Sequence, residues 1–166
     1  CLEIVTPSDT VTGRRVPNPT LVKDVLAIQR GTTDPNRVII ISGHIDSRVS
    51  DVMDFTSDAP GANDDGSGTA AVIEAARVLS KHKFPATIVY AVLSGEEQGL
   101  LGGKILADHA KARRWQVEAV LNNDLNLAAE YTRRGDAPRA IGRLNRAIEL
   151  SAVRVNRHPA PPHVRG

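Results

Sequence analysis

Aromatic side chains are nearly missing: Phe, Tyr and Trp make up 3% of the 166 residues. The core must therefore rest on Val, Ile, Leu and Ala. Cysteine occurs once, at Cys1; that excludes an internal disulfide and a multi-cysteine zinc site, and leaves the redox compartment open. No apolar run approaches the ~20 residues of a membrane-spanning helix, and no secretory signal is visible, so no membrane partner is expected. The chain starts at Cys1 rather than Met, and the expectation is a fragment or mature form whose upstream part is absent. Lysine is missing from residues 125–166, which hold eight Arg against three acidic groups, a net charge of +5. Residues 1–124 hold 13 basic and 16 acidic groups, a net of −3. That break reads as a change of module.

What is present is the pattern of a layered α/β domain. "VKDVLAIQRGT" (22–32) reads as a strand and "DPN" (34–36) as a turn. Val38 to Ile41 are four consecutive β-branched residues, the mark of a strand covered on both faces. A polar, acidic loop runs from Ser47 to Asp65. "GSGTAAVIEAARVLSKH" reads as an Ala-rich helix, "FPATIVYAVLSG" as a second buried strand, "LLGGKILADHAKARR" as a second helix and "VEAVLNNDL" as a third strand. Strands alternating with helices predict a three-layer α/β sandwich with a mixed, mainly parallel sheet, and ligands in such sheets gather beyond the carboxyl ends of the strands.

Those ends carry the candidate residues. His44 and Asp46 follow the first central strand, Asp64 and Asp65 precede the first helix, Glu96 and Glu97 follow the second strand, and Asp124 follows the third. Singly, each has an ordinary reading: a buried histidine, a loop cap, a helix N-cap, or acidic groups drawn to a helix N-terminus. Those readings do not explain why all fall at one sheet edge. One imidazole with several carboxylates suits Zn²⁺, and a carboxylate shared by two ions would suit a two-metal hydrolytic site.

"SGHIDS", "APGANDDGSGTAAVIEAARVL", "SGEEQGLLGG" and "NND", in this order, closely resemble the co-catalytic zinc aminopeptidases, the family of bacterial leucyl aminopeptidase and plasma glutamate carboxypeptidase. The resemblance covers about residues 20–124. It implies a zinc-dependent exopeptidase, most simply an aminopeptidase acting on peptide substrates. His44 matches a ligand of one zinc, Asp46 a carboxylate supporting the site, and Asp64 the carboxylate bridging two zincs. Glu96 matches the general base acting on a metal-bound water, Glu97 a ligand of the other zinc, and Asp124 a ligand of the zinc held by His44. Relatives of this kind are often secreted or periplasmic, which is the expected location.

The family's fifth ligand, a downstream histidine completing the zinc held by Glu97, has no clear counterpart. His82 closes a helix, His109 is expected to be exposed in mid-helix, and His158 and His163 lie in a Pro-rich end. The domain reading is therefore a zinc exopeptidase core at 1–124, truncated on its C-terminal side, followed by a helical extension at 125–166. That extension resembles a single tetratricopeptide-type hairpin whose amphipathic second helix (Ala140, Ile141, Leu144, Ala147, Ile148) is expected to cover a sheet face. Its arginines read as a solvated face, and no nucleic-acid partner is expected. The alternatives are an inactive fragment or non-catalytic relative acting as a binding module, and a chain whose helical tail docks a peptide or another subunit.

Overall fold

The computed structural model describes residues 1–124. The expected hairpin, its arginine face, His158 and His163 lie outside the described residues. Seven strands and two helices follow in order: β1 (Glu3–Val5), β2 (Ser8–Gly13), β3 (Val16–Lys23), β4 (Val25–Gln29), β5 (Asp34–His44), α1 (Ser67–Leu79), β6 (Ala86–Leu93), α2 (Leu101–Ala112) and β7 (Gln116–Asn122). Strands β2 and β3 form a two-stranded antiparallel sheet, while the other five form one mixed sheet in the order β1-β4-β6-β5-β7. Pairing is parallel for β6-β5 and β5-β7 and antiparallel for β1-β4 and β4-β6. The α/β mixed-sheet class expected from the sequence is the class observed.

Periodicity places the helices on opposite faces. In α1, Val72, Ala75, Ala76 and Leu79 fall at i, i+3, i+4 and i+7 and pack with Ile88, Tyr90 and Ile41. In α2, Leu106 joins Leu26, Ile28, Val38, Ile40, Val89 and Ala91 on the other face. The successive residues of "VIII" thus divide between two layers, as strands with period-two side chains require. Burying each of Leu26, Val38 and Val89, none of which is exposed, contributes about 1.5–3 kcal/mol. Beside β7, Ile40, Leu106, Trp115, Val117 and Val120 line a groove of about 840 Å³.

Two boundaries differ from the sequence reading. The strand expected over 22–32 is broken at Asp24, where the chain passes from the small sheet into the large one and the Asp24 N–H donates to Pro7 O at 3.0 Å. The expected turn at 34–36 lies instead at the start of β5. The pairing with β6 slips there, between Asp34 and Val38, because Pro35 has no N–H to give the ladder. The Thr87 hydroxyl donates to Pro35 O across the slip at 2.8 Å.

Candidate metal centre

Parallel pairing decides which residues meet. His44 stands opposite Leu93, and Ser42 opposite Asn122; so β5, β6 and β7 end together, and the residues just beyond each strand converge. His44 is 3% exposed. Its Nδ1 lies 3.0 Å from the carbonyl oxygen of Asp46. A carbonyl only accepts, so Nδ1 carries the proton in that bond, and in the neutral ring Nε2 is the lone-pair nitrogen. Nε2 is buried and makes no hydrogen bond, although Asp64 Oδ1 stands 3.1 Å away. In the neutral ring two lone pairs face each other at that distance, a repulsion that either a proton or a metal ion between them relieves.

Ligand atoms of His44, Asp64 and Asp124 all lie within 4.8 Å of one another. Zinc bonds of ~2.0–2.1 Å to nitrogen and oxygen at tetrahedral angles put neighbouring ligand atoms ~3.3 Å apart. The 3.1 Å separation of His44 and Asp64 matches, and one imidazole with two carboxylates is a donor set zinc accepts. These residues fit the ion.

Asp65 builds the frame behind them. It is 1% exposed; Oδ2 accepts from the His44 N–H at 2.9 Å and Oδ1 from the Gly68 N–H at 3.0 Å. One carboxylate thereby ties the end of β5 to the first turn of α1, whose N–H groups lack partners inside the helix. Asp64 and Asp65 have non-helical backbone angles (φ −113°, ψ 95° and φ −130°, ψ 40°), so adjacent carboxylates serve different neighbours. The helix can approach this closely because Gly43 and Gly68 face one another. A Cβ on Gly43 would lie 2.8 Å from Gly68 C, and one on Gly68 would run into Asn123 O and the Asp65 carboxylate.

The Glu96-Glu97 turn is held by Asp46. Its Oδ1 accepts from the Glu96 N–H at 3.2 Å and its Oδ2 from the Glu97 N–H at 3.0 Å, while its carbonyl orients His44. Asp46 is thus a positioning residue between His44 and the doublet. Glu97 lines a small cavity together with Asp64, and its Oε2 accepts from Arg48 Nε at 2.6 Å. Glu97 does not join the group of His44, Asp64 and Asp124. His109, expected to be exposed, is half-buried and edge-on to Trp115, with ring centroids 5.4 Å apart. His82 is exposed at the end of α1. Neither belongs to that group.

Sequence reasoning names Asp65 beside Asp64 but gives it no role beyond an N-cap, and it misses two residues: Arg48, a lone base in an acidic loop, and Asp24, a charge inside an apolar run. Asp24 is fully buried beneath the turn, where Oδ1 accepts from the Ser94 N–H at 3.0 Å.

Electrostatics follow from this crowding. Burial opposes a charge on His44, but Asp65, Asp46 and Glu96 outweigh it and hold its pKa above the ordinary imidazole value. Burial pushes the Glu96 carboxyl up; His44 pulls it down, and Glu97, Asp46 and Asp124 add to the rise. A half-buried carboxylate with a raised proton affinity next to a candidate metal site is suited to proton transfer.

Comparison with known proteins agrees with this chemistry. The profile of Peptidase family M28 matches residues 24–157. A probable zinc metalloprotease of Leptosphaeria maculans is 51% identical over 111 residues, which are 67% of this chain and 26% of that protein. A probable zinc metalloprotease of Pyricularia oryzae is 47% identical over 111 residues, 67% of this chain and 22% of its own. The chain spans about a quarter of the length of the curated relatives it matches. Among solved structures, BSAP, a zinc aminopeptidase from Bacillus subtilis, superposes with a TM-score of 0.52 at 26% identity, over 68% of this chain and 26% of that one. A glutaminyl cyclase from an Acidobacteriales bacterium gives a TM-score of 0.59 at 18% identity, over 81% of this chain and 54% of its own, a likeness of fold alone.

Proposed function

The chain belongs to peptidase family M28, and from that premise we propose that residues 1–124 carry the metal-binding half of a zinc-dependent exopeptidase, an aminopeptidase that removes N-terminal residues from peptides. The observation that carries the reading is the buried His44 Nε2, which makes no hydrogen bond and faces Asp64 Oδ1 at 3.1 Å, with Asp124 in the same group.

Zinc held by His44, Asp64 and Asp124 would supply Lewis-acid polarisation of a peptide carbonyl and would lower the pKa of a water. The protein supplies the rest. Asp65 fixes the backbone of His44, and Asp46 fixes both the imidazole, through its carbonyl, and the Glu96 backbone, through its carboxylate. Glu96, with its raised pKa, takes a proton from the attacking water and returns it to the leaving amine. Such a positioned base is worth about 10²–10⁴ in rate. Peptide substrate, aminopeptidase specificity and a secreted or periplasmic setting all belong to this proposal.

The test is zinc content per chain after exhaustive dialysis against metal-free buffer, with hydrolysis of aminoacyl p-nitroanilides measured on the same samples. Wild type is expected to retain zinc and His44→Ala to lose it. Glu96→Gln is expected to keep the metal and lose any turnover. Full zinc occupancy in His44→Ala would remove the metal centre from this reading, and unchanged turnover in Glu96→Gln would remove the base.

A further inference from the structure

Arg48 is 41% exposed at its side chain, yet it is not free to wander. Nε donates to Glu97 Oε2 at 2.6 Å, and Nη1 donates to the carbonyls of Val49 at 3.2 Å and Ser50 at 3.1 Å. Three bonds hold the guanidinium over a glutamate that is 10% exposed. Arg48, Val49, Ser50, Asp64 and Glu97 line one small cavity of about 230 Å³. That cavity therefore contains two carboxylates and one cation built into the chain.

The chemistry of that cation decides what else can enter. A guanidinium stays protonated throughout the accessible pH range and offers only donors, so it can neither ligate a metal nor vacate its charge. A metal ion on Glu97 would have to compete with the Arg48 bond to Oε2 and sit beside a fixed positive charge in a partly desolvated pocket. Among the described residues no further His, Cys, Asp or Glu gathers there to offset this.

We infer that Arg48 takes the place of a second cation in this site. It neutralises Glu97 and keeps that carboxylate from ligating metal, so the centre is mononuclear on His44, Asp64 and Asp124. The inference rests on the proposed zinc site and makes the chain's own arginine the partner of Glu97 in place of a second ion.

The experiment is a cobalt(II) titration of the full chain, followed by equilibrium dialysis and the visible absorption of the bound ion. Wild type, Glu97→Gln, Arg48→Met, Arg48→Lys and His44→Ala are compared, with circular dichroism to check folding. Wild type is expected to bind one equivalent. Glu97→Gln is expected to bind the same single equivalent with its affinity changed less than about threefold. Arg48→Met, which frees Glu97 beside Asp64, is expected to take up a second equivalent at least tenfold more tightly than any further ion on wild type; Arg48→Lys, which keeps the charge, is expected not to.

Two equivalents in wild type, with one lost in Glu97→Gln, would overturn the inference and leave the His44 site standing. So would an Arg48→Met chain that folds and shows no tighter second binding. If Arg48→Met does not fold, the wild-type and Glu97→Gln stoichiometries decide alone. Unchanged binding in His44→Ala, or no binding in wild type, would sink the underlying site and the inference with it.

Discussion

Replacing Asp24 with Asn is the sharpest test of how the protein supports its carboxylate turn. Asp24 has no exposed surface, one oxygen bonded to the Ser94 N–H and one buried oxygen, Oδ2, without a hydrogen bond. Burial pushes its pKa from 3.8 up to about 6; the Ser94 bond opposes the rise and Asp46 adds to it. The sign follows from linkage. Between those two values the native state holds a proton that the unfolded chain has released. The contribution of Asp24 is therefore fully present below the unfolded pKa and is lost as pH rises through the folded one.

A shift of about two units corresponds to about 3 kcal/mol of stability lost between acid and neutral pH. Asn keeps the acceptor for Ser94 and cannot ionise, but it places an amide where Oδ2 lacked a partner, at a cost of about 1–2 kcal/mol. The variant is thus expected to be slightly less stable than wild type near pH 4 and more stable near pH 7.5. At about 2–4 °C per kcal/mol for a chain of this size, the difference in Tm between variant and wild type should move by about 6–12 °C across that range. Differential scanning calorimetry at both pH values reads it, and groups that titrate in both proteins cancel in the subtraction. A Tm difference that stays constant between the two pH values would refute the argument, because Asp24 would then be charged and satisfied throughout.

Other residues are open to direct tests. Asp65→Ala strips a carboxylate from the buried N–H groups of His44 and Gly68; at about 1.5–3 kcal/mol for each charged hydrogen bond, urea unfolding should show a loss of about 3–6 kcal/mol, and metal affinity should fall with it. Gly68→Ala places a methyl group against Asn123 O and Asp65, and the overpacking should cost about 1–3 kcal/mol in the same assay. Asp64→Ala should weaken metal retention in dialysis, and full occupancy would exclude Asp64 as a ligand. Chelation should lower Tm, because an ion that binds only the folded state stabilises it by mass action; His44→Ala should show no such drop.

What the sequence determined by itself follows from local, periodic physics. The β-branched run at Val38–Ile41, the spacing of Val72, Ala75, Ala76 and Leu79, and the apolar stretch before Glu96 each fix an element whatever its neighbours are. Their alternation then fixes parallel strands that end on one edge, so His44, Asp64, Glu96, Glu97 and Asp124 could be named as one cluster in advance. The boundary at Asp24 and the slipped start of β5 were not legible, because the first depends on pairing with Pro7 and the second on a missing N–H in a ladder formed with β6.

Side-chain partners across the edge were beyond reach for the same reason. Glu97 and Arg48 are 49 residues apart, and Asp46 and Glu96 are 50. A carboxylate with several donors in range commits to one only when the fold sets distance and direction. The sequence therefore specified which chemical groups meet, and tertiary structure decided the use of each. Asp65 is a clamp, Asp46 a support for the turn, and Glu97 the partner of an arginine, because hydrogen-bond geometry and burial are properties of the packed edge and not of any segment in it.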